Sequence, residues 1–107
     1  MPIRSFLTFF VPVMVALALA PRAFCKTSEE LRHLLKHDCG SCHGMSLKGG
    51  LGSELTYEKM KIRDVEELKA IILFGRPGTA MPAWKGILTD EDALALAKIL
   101  KEGLYEK

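Results

Sequence analysis

Apolar residues along this chain fall into blocks with different rhythms. Phe6 to Ala20 is an almost continuous apolar run, with Thr8 and Pro12 inside it. Leu31, Leu34 and Leu35 then recur at spacings of three and four, the repeat of one helix face. Val65, Leu68, Ile71 and Ile72 repeat that spacing, and Ala93, Leu96, Ala97, Leu100 and Leu104 do so again. No stretch alternates apolar and polar residues as a half-buried strand would. The pattern predicts an all-α chain with three main helices.

Capping residues set the expected boundaries. Thr27-Ser28-Glu29-Glu30 reads as a helix start, with Thr27 as N-cap and Glu30 closing a capping box. That helix is expected to run to about Asp38 and to deliver Cys39 at its end. Gly44 to about Arg63 reads as loop. Asp64 opens the second helix, with Glu67 completing a box, and Gly75 and Pro77 stop it. Gly78 to Leu88 is irregular. Thr89-Asp90-Glu91-Asp92 starts the third helix, expected to run close to the end of the chain. The two loops are long enough to wrap a bound group.

The first apolar block is read differently. Arg4 precedes it, and its fifteen residues are few for a membrane-spanning helix. Residues 1–25 are therefore expected to be a cleavable secretory signal and residues 26–107 one small domain. Ala18-Leu19-Ala20 and Ala23-Phe24-Cys25 both fit a small-x-small cleavage site. The second is preferred because it removes the odd cysteine and leaves Lys26 first. A retained Cys25 could carry a lipid, but Phe24 before it is large for that. The processed chain would have 82 residues, and with Arg4 and Arg22 gone, 13 of the 15 basic residues face 13 acidic ones. That balance argues against nucleic acid as a partner, which needs a basic patch. A domain this small usually needs a staple besides its apolar core.

Cys39-Gly40-Ser41-Cys42-His43 supplies one. Cys-x-x-Cys-His is the attachment sequence of a c-type haem. Two sulfurs bond to the two vinyl groups on one edge of the ring, and the adjoining imidazole reaches the iron from the same side. Zinc would want four ligands, and no second Cys/His pair follows. A redox dithiol would sit near a strand–helix–strand pattern, which is absent. His33 and His37 lie in the first helix and read as solvated. In Gly49-Gly50-Leu51-Gly52 the glycines let backbone pass close to a flat surface, with Leu51 and Leu55 as candidates to cover the haem face.

Electron-transfer haem usually pairs His with Met or a second His. Met1 and Met14 lie in the signal, and Met45 is too close to His43 to cross the ring. Met60 lies in a charged stretch before a helix and reads as a packing residue. Met81 precedes Pro82, which holds it extended, and follows small residues that let backbone approach. Met81 is the preferred second ligand.

Cys39 to His43 early, Met81-Pro82 late and a closing helix make the chain similar to the class I cytochromes c. His37 to Met45, Lys48 to Gly52 and Gly75 to Trp84 further resemble the small periplasmic cytochromes of the NirC type, over nearly all of residues 26–107. Those proteins accompany the cytochrome cd-type nitrite reductase of denitrifying bacteria. The resemblance implies that Cys39 and Cys42 carry one covalent haem c, with His43 as proximal and Met81 as distal iron ligand. It also implies that a carbonyl in the glycine-rich loop accepts the His43 N–H. Ser53 stands where the wider family has proline. Leu31 and Leu35, facing Ile99 or Leu100, replace the glycine and aromatic at which many members cross their first and last helices.

The expected function is single-electron carriage in the periplasm, with no enzymatic activity and no stable membrane insertion, as a monomer. The implied partner is a redox protein, cytochrome cd nitrite reductase in particular, met through a small transient contact. Lys48, Arg76 and Lys85 flank the loops near the expected haem edge. A part in maturing that enzyme's d-type haem is the alternative. A haem enzyme or gas sensor with an open sixth site, or a module permanently bound to a larger complex, are alternatives of other classes.

Overall fold

Thr27 opens the first helix as its sequence predicts. Its hydroxyl accepts the Glu30 N–H at 3.2 Å, and the Glu30 carboxylate accepts the Thr27 N–H at 3.2 Å. The computed structural model describes residues 25–106, so the apolar run and both cleavage sites up to Phe24 lie outside the described residues. Helix α1 spans Ser28–Leu34, passes through a π-helical turn at Leu35–Cys39 and continues as α2, Gly40–His43. The helix therefore does not stop near Asp38 as expected. Leu35, Cys39 and Gly40 all keep right-handed helical dihedrals, and the first break is Gly44 at φ 91° and ψ 141°. A Cβ at Gly44 would meet the Gly49 carbonyl oxygen at 2.6 Å, so the stop belongs to the loop that folds back there. The π turn adds a residue to the helical repeat, a feature frequent at functional sites.

The span read as loop contains one helical turn, α3, at Tyr57–Met60. Four residues with a single buried apolar side chain, Met60, carry too little pattern to be recognised. Helix α4, Val65–Phe74, starts on Asp64, whose carboxylate accepts the N–H groups of Glu66 and Glu67 at 2.8 and 3.1 Å. Glu67 does not complete the expected box. Its carboxylate bonds instead to Arg63 at 2.9 Å. Leu68 and Leu73 are the buried residues of α4, while Val65, Ile71 and Ile72 are half-buried.

Helix α5, Asp90–Glu102, begins with a capping box between Thr89 and Asp92 and ends at Gly103 in the left-handed conformation. Leu104 lies beyond it, in a 3₁₀ turn at Leu104–Glu106. Ala93, Leu96, Ala97, Ile99 and Leu100 are buried along α5. Both α1 and α4 pack on α5. Leu31, Leu35, Ile99 and Leu100 share one core with Met60, Leu68 and Leu96. Lys101 ties in the short helix, its ammonium donating to the carbonyls of Lys61 and Arg63. Among the described residues there is no strand. The all-α expectation holds, with a longer first helix and an added turn.

Candidate haem site

The attachment sequence is helical. Cys39 closes the π turn and is half-buried; Cys42, one turn on, is exposed; His43 ends the helix half-buried. Burial, and next the Asp38 carboxylate, push the Cys39 thiol up to about 11.

Past Gly44 the chain folds back under the end of α2. The Gly49 N–H donates to the His43 carbonyl at 2.8 Å, and the Gly52 N–H donates to the Cys42 carbonyl at 2.7 Å. Contacts within the chain itself also call for these glycines. A Cβ at Gly50 would stand 2.7 Å from the Cys42 carbonyl oxygen, and one at Gly52 would stand 2.7 Å from His43 Nδ1. The close approach is to the chain's own helix end and to the imidazole.

That approach sets the state of His43. Its Nδ1 lies 2.6 Å from the Ser53 carbonyl oxygen. A carbonyl only accepts, so Nδ1 carries a proton, and in the neutral imidazole Nε2 is then the nitrogen with the lone pair. An imidazole fixed in this tautomer and orientation is suited to bind a metal through Nε2. Ser53 in place of proline leaves the backbone carbonyl in position.

Met81 sits half-buried in the second loop. Its N–H donates to Thr79 Oγ1 at 3.3 Å, and its carbonyl accepts the Arg76 N–H at 3.3 Å. The Trp84 and Lys85 N–H groups donate to the carbonyls of Ile72 and Leu73, each at 3.1 Å, fastening the loop to the last turn of α4. Gly75 was recognisable as a helix stop, but its tighter constraint was not. A Cβ there would meet the Met81 carbonyl oxygen at 2.5 Å. That partner lies six residues on, beyond any local pattern.

Close contacts thus unite Cys42, His43, Gly52 and Ser53. Met81 is held on a separate loop, and among the described residues no hydrogen bond joins it to His43. Leu51 is 97% exposed, whereas Leu55 packs against the core. Met45 stands beside Gly40, on the helix that carries the cysteines. His33 and His37 are exposed on the first helix, their ring centroids 4.2 Å apart. Two thiols and an adjoining imidazole with Nε2 turned from its hydrogen bond form a donor set that fits a covalently attached haem, and Met81 supplies a thioether on the second loop.

Comparison with known proteins agrees with that chemistry. Residues 27–98 match the family described as cytochrome c oxidase, cbb3-type, subunit III. The chain is 44% identical over 94 residues to a cytochrome c55X of Paracoccus denitrificans, covering 88% of this chain and 91% of that one. It is 53% identical over 74 residues to a cytochrome c55X of Pseudomonas aeruginosa, covering 69% and 62%. A solved structure of a c-type cytochrome NirC superposes with a TM-score of 0.69 at 51% identity, covering 72% of this chain and 91% of that one. With the family matched across both loops and the attachment helix, the chain belongs to the c-type cytochromes, related to cytochrome c55X and NirC, and takes one covalently bound haem c with its iron.

Proposed function

We propose that this cytochrome is a periplasmic single-electron carrier that serves nitrite reduction, with cytochrome cd nitrite reductase as its electron acceptor. In this reading Cys39 and Cys42 hold the haem, His43 and Met81 close the iron, the Ser53 carbonyl orients His43, and Leu51 and Leu55 lie toward the ring. The observation that carries it is the fixed His43, its Nδ1 spent on Ser53 at 2.6 Å and its Nε2 free for iron. With a thioether opposite, no coordination position is left for a substrate, and a change of one electron is the chemistry that remains. His/Met ligation also raises the potential, which suits delivery to an oxidising enzyme. Likeness to NirC over 91% of that chain supports the association with nitrite reduction. Among the described residues no helix is long and apolar enough to cross a membrane.

A likeness to the dihydro-heme d1 dehydrogenase of Pseudomonas aeruginosa, 36% over 67 residues, covers only 14% of that protein. It gives no reason to prefer a part in haem maturation. An open-site enzyme or sensor would leave Met81 without its role.

Two measurements test the proposal. The reduced protein should pass electrons to cytochrome cd nitrite reductase faster than to unrelated haem proteins, and the unmutated ferrous form should bind carbon monoxide poorly. Equal transfer rates to all acceptors, or ready carbon monoxide binding, would remove the reading. Lys48, Arg76 and Lys85 are exposed on the loops. If they guide docking, rising salt should slow the transfer.

A further inference from the structure

The start of the described chain meets the closing helix at a buried carboxylate. Asp92 is 2% exposed. Its Oδ1 accepts the Lys26 backbone N–H at 2.7 Å, and its Oδ2 accepts the Thr89 N–H at 3.1 Å. Among the described residues no side-chain salt bridge reaches it. Capping alone does not require such burial, since Asp64 caps α4 from an exposed position. A buried carboxylate is costly unless it is paired and hydrogen-bonded.

We infer that Asp92 is the docking site for an α-ammonium group at Lys26, created when the export signal is removed between Cys25 and Lys26. The inference rests on reading residues 1–25 as a cleavable signal. Hydrolysis of that peptide bond by an export peptidase consumes one water. Cys25 leaves as a carboxylate, and Lys26 keeps the nitrogen as an ammonium at neutral pH. The nitrogen already stands 2.7 Å from Oδ1, so an ammonium formed there starts within hydrogen-bond reach of the carboxylate. A charged donor makes a hydrogen bond roughly twice as strong as a neutral one. Lys26 also lines a neighbouring cleft with Glu29, Glu30, His33, Leu34 and Asp38. Cys25 is exposed, so its loss takes no side chain out of the core. The ion pair would fasten the chain ahead of α1 to the first turn of α5 in the processed protein alone.

The test uses holoprotein exported with two defined starts, one at Lys26 and one extended by a single alanine, each with and without Asp92→Asn. With Asp92 present, the Lys26 start should melt higher by roughly 4–8 °C, the shift a charge-assisted bond gives in a domain this size. In the Asp92→Asn background that gap should close. An unchanged gap in that background, or no gap with Asp92 present, overturns the pairing. If Asp92→Asn does not accumulate, a crystal structure of the Lys26-start holoprotein decides. An amine within roughly 3.2 Å of Oδ1 supports the pairing, and an amine pointing to solvent overturns it. The intact mass of the naturally exported protein tests the signal reading separately. A chain that starts elsewhere overturns the inference even where the defined forms show the coupling, so the two failures are told apart.

Discussion

The helices α1, α4 and α5, the helical wall, and the two glycine-bearing loops, taken together as the loop wall, are held by different means. In the helical wall, side chains fill the space between elements: Leu31, Leu35, Leu96, Ala97 and Leu100 are all at most 4% exposed. In the loop wall, backbone contacts add to the few buried anchors, Leu47 and Leu88. Gly44, Gly50, Gly52 and Gly75 permit contacts that a Cβ would block, and Thr79, Trp84 and Ser53 bind through main-chain groups. The loop wall also leaves Leu51 almost fully exposed and Met81 half-exposed. The helices carry their own packing partners. In the function proposed above, the exposed side chains of the loops would meet the haem.

Removing the haem should produce the largest effect. A Cys39→Ala, Cys42→Ala double variant should yield no covalent haem on a denaturing gel and little folded protein. Residual helicity should come from the helical wall. A compact, cooperatively melting protein without haem would show that the helical wall organises the fold unaided.

Exchanging roles between the two methionines sharpens the comparison. Met60 is 5% exposed within the core of the helical wall. Met60→Ala should destabilise by about 2–5 kcal/mol, as large-to-small core substitutions do, and leave the haem spectrum unchanged. Met81→Ala should remove the ferric sulfur-to-iron charge-transfer band, lower the potential and open the ferrous iron to carbon monoxide. Thermal melts and absorption spectra of both variants decide. If the Met60 variant loses the band and the Met81 variant keeps it, the ligand assignment is reversed.

This division also governs what was legible in the sequence. The helical wall has periodic apolar spacing and local capping pairs, so its three helices were readable from Leu31, Leu68 and Leu96 and from Thr27, Asp64 and Thr89. The covalent haem c was readable because Cys39 to His43 is an attachment motif. What escaped depends on distance along the chain. Helix continuation through Cys39 is decided by where Gly44 meets Gly49, and the burial of Asp92 by where Lys26 arrives. The fit of Gly52 against His43 is set by a loop folding back nine residues later. None of these is a property of a short window.

Single methyl groups added to the loop wall should give the next effect. Gly52→Ala puts a Cβ 2.7 Å from His43 Nδ1, and the surrounding loop is pinned by its own hydrogen bonds. The imidazole must turn or the loop must move, at about 1–3 kcal/mol for overpacking. Magnetic resonance of the haem ligands should report a changed His43 orientation. Gly86→Ala meets nothing within 4 Å and serves as the control. It should stay within about 0.5 kcal/mol of the parent.

The smallest effect is expected at the edge of the helical wall, and it depends on pH. Burial acts to raise the Asp92 pKa, but hydrogen bonds from Thr89 and from Lys26 outweigh it and lower it. A carboxylate with a lowered folded pKa binds fewer protons in the folded than in the unfolded chain. Its stabilisation is fully present above the unfolded value, about 3.9, and is lost as pH falls through the lower folded value. The gap in melting temperature between the parent and Asp92→Asn should stay level from about pH 7 to pH 5 and narrow below about pH 4. A gap that is constant across that range would mean that Asp92 acts through packing and neutral hydrogen bonds alone. The haem spectrum should stay unchanged between the two proteins at neutral pH, because Asp92 lies in the first turn of α5 and is bonded to Thr89 and Lys26, not to the loop wall.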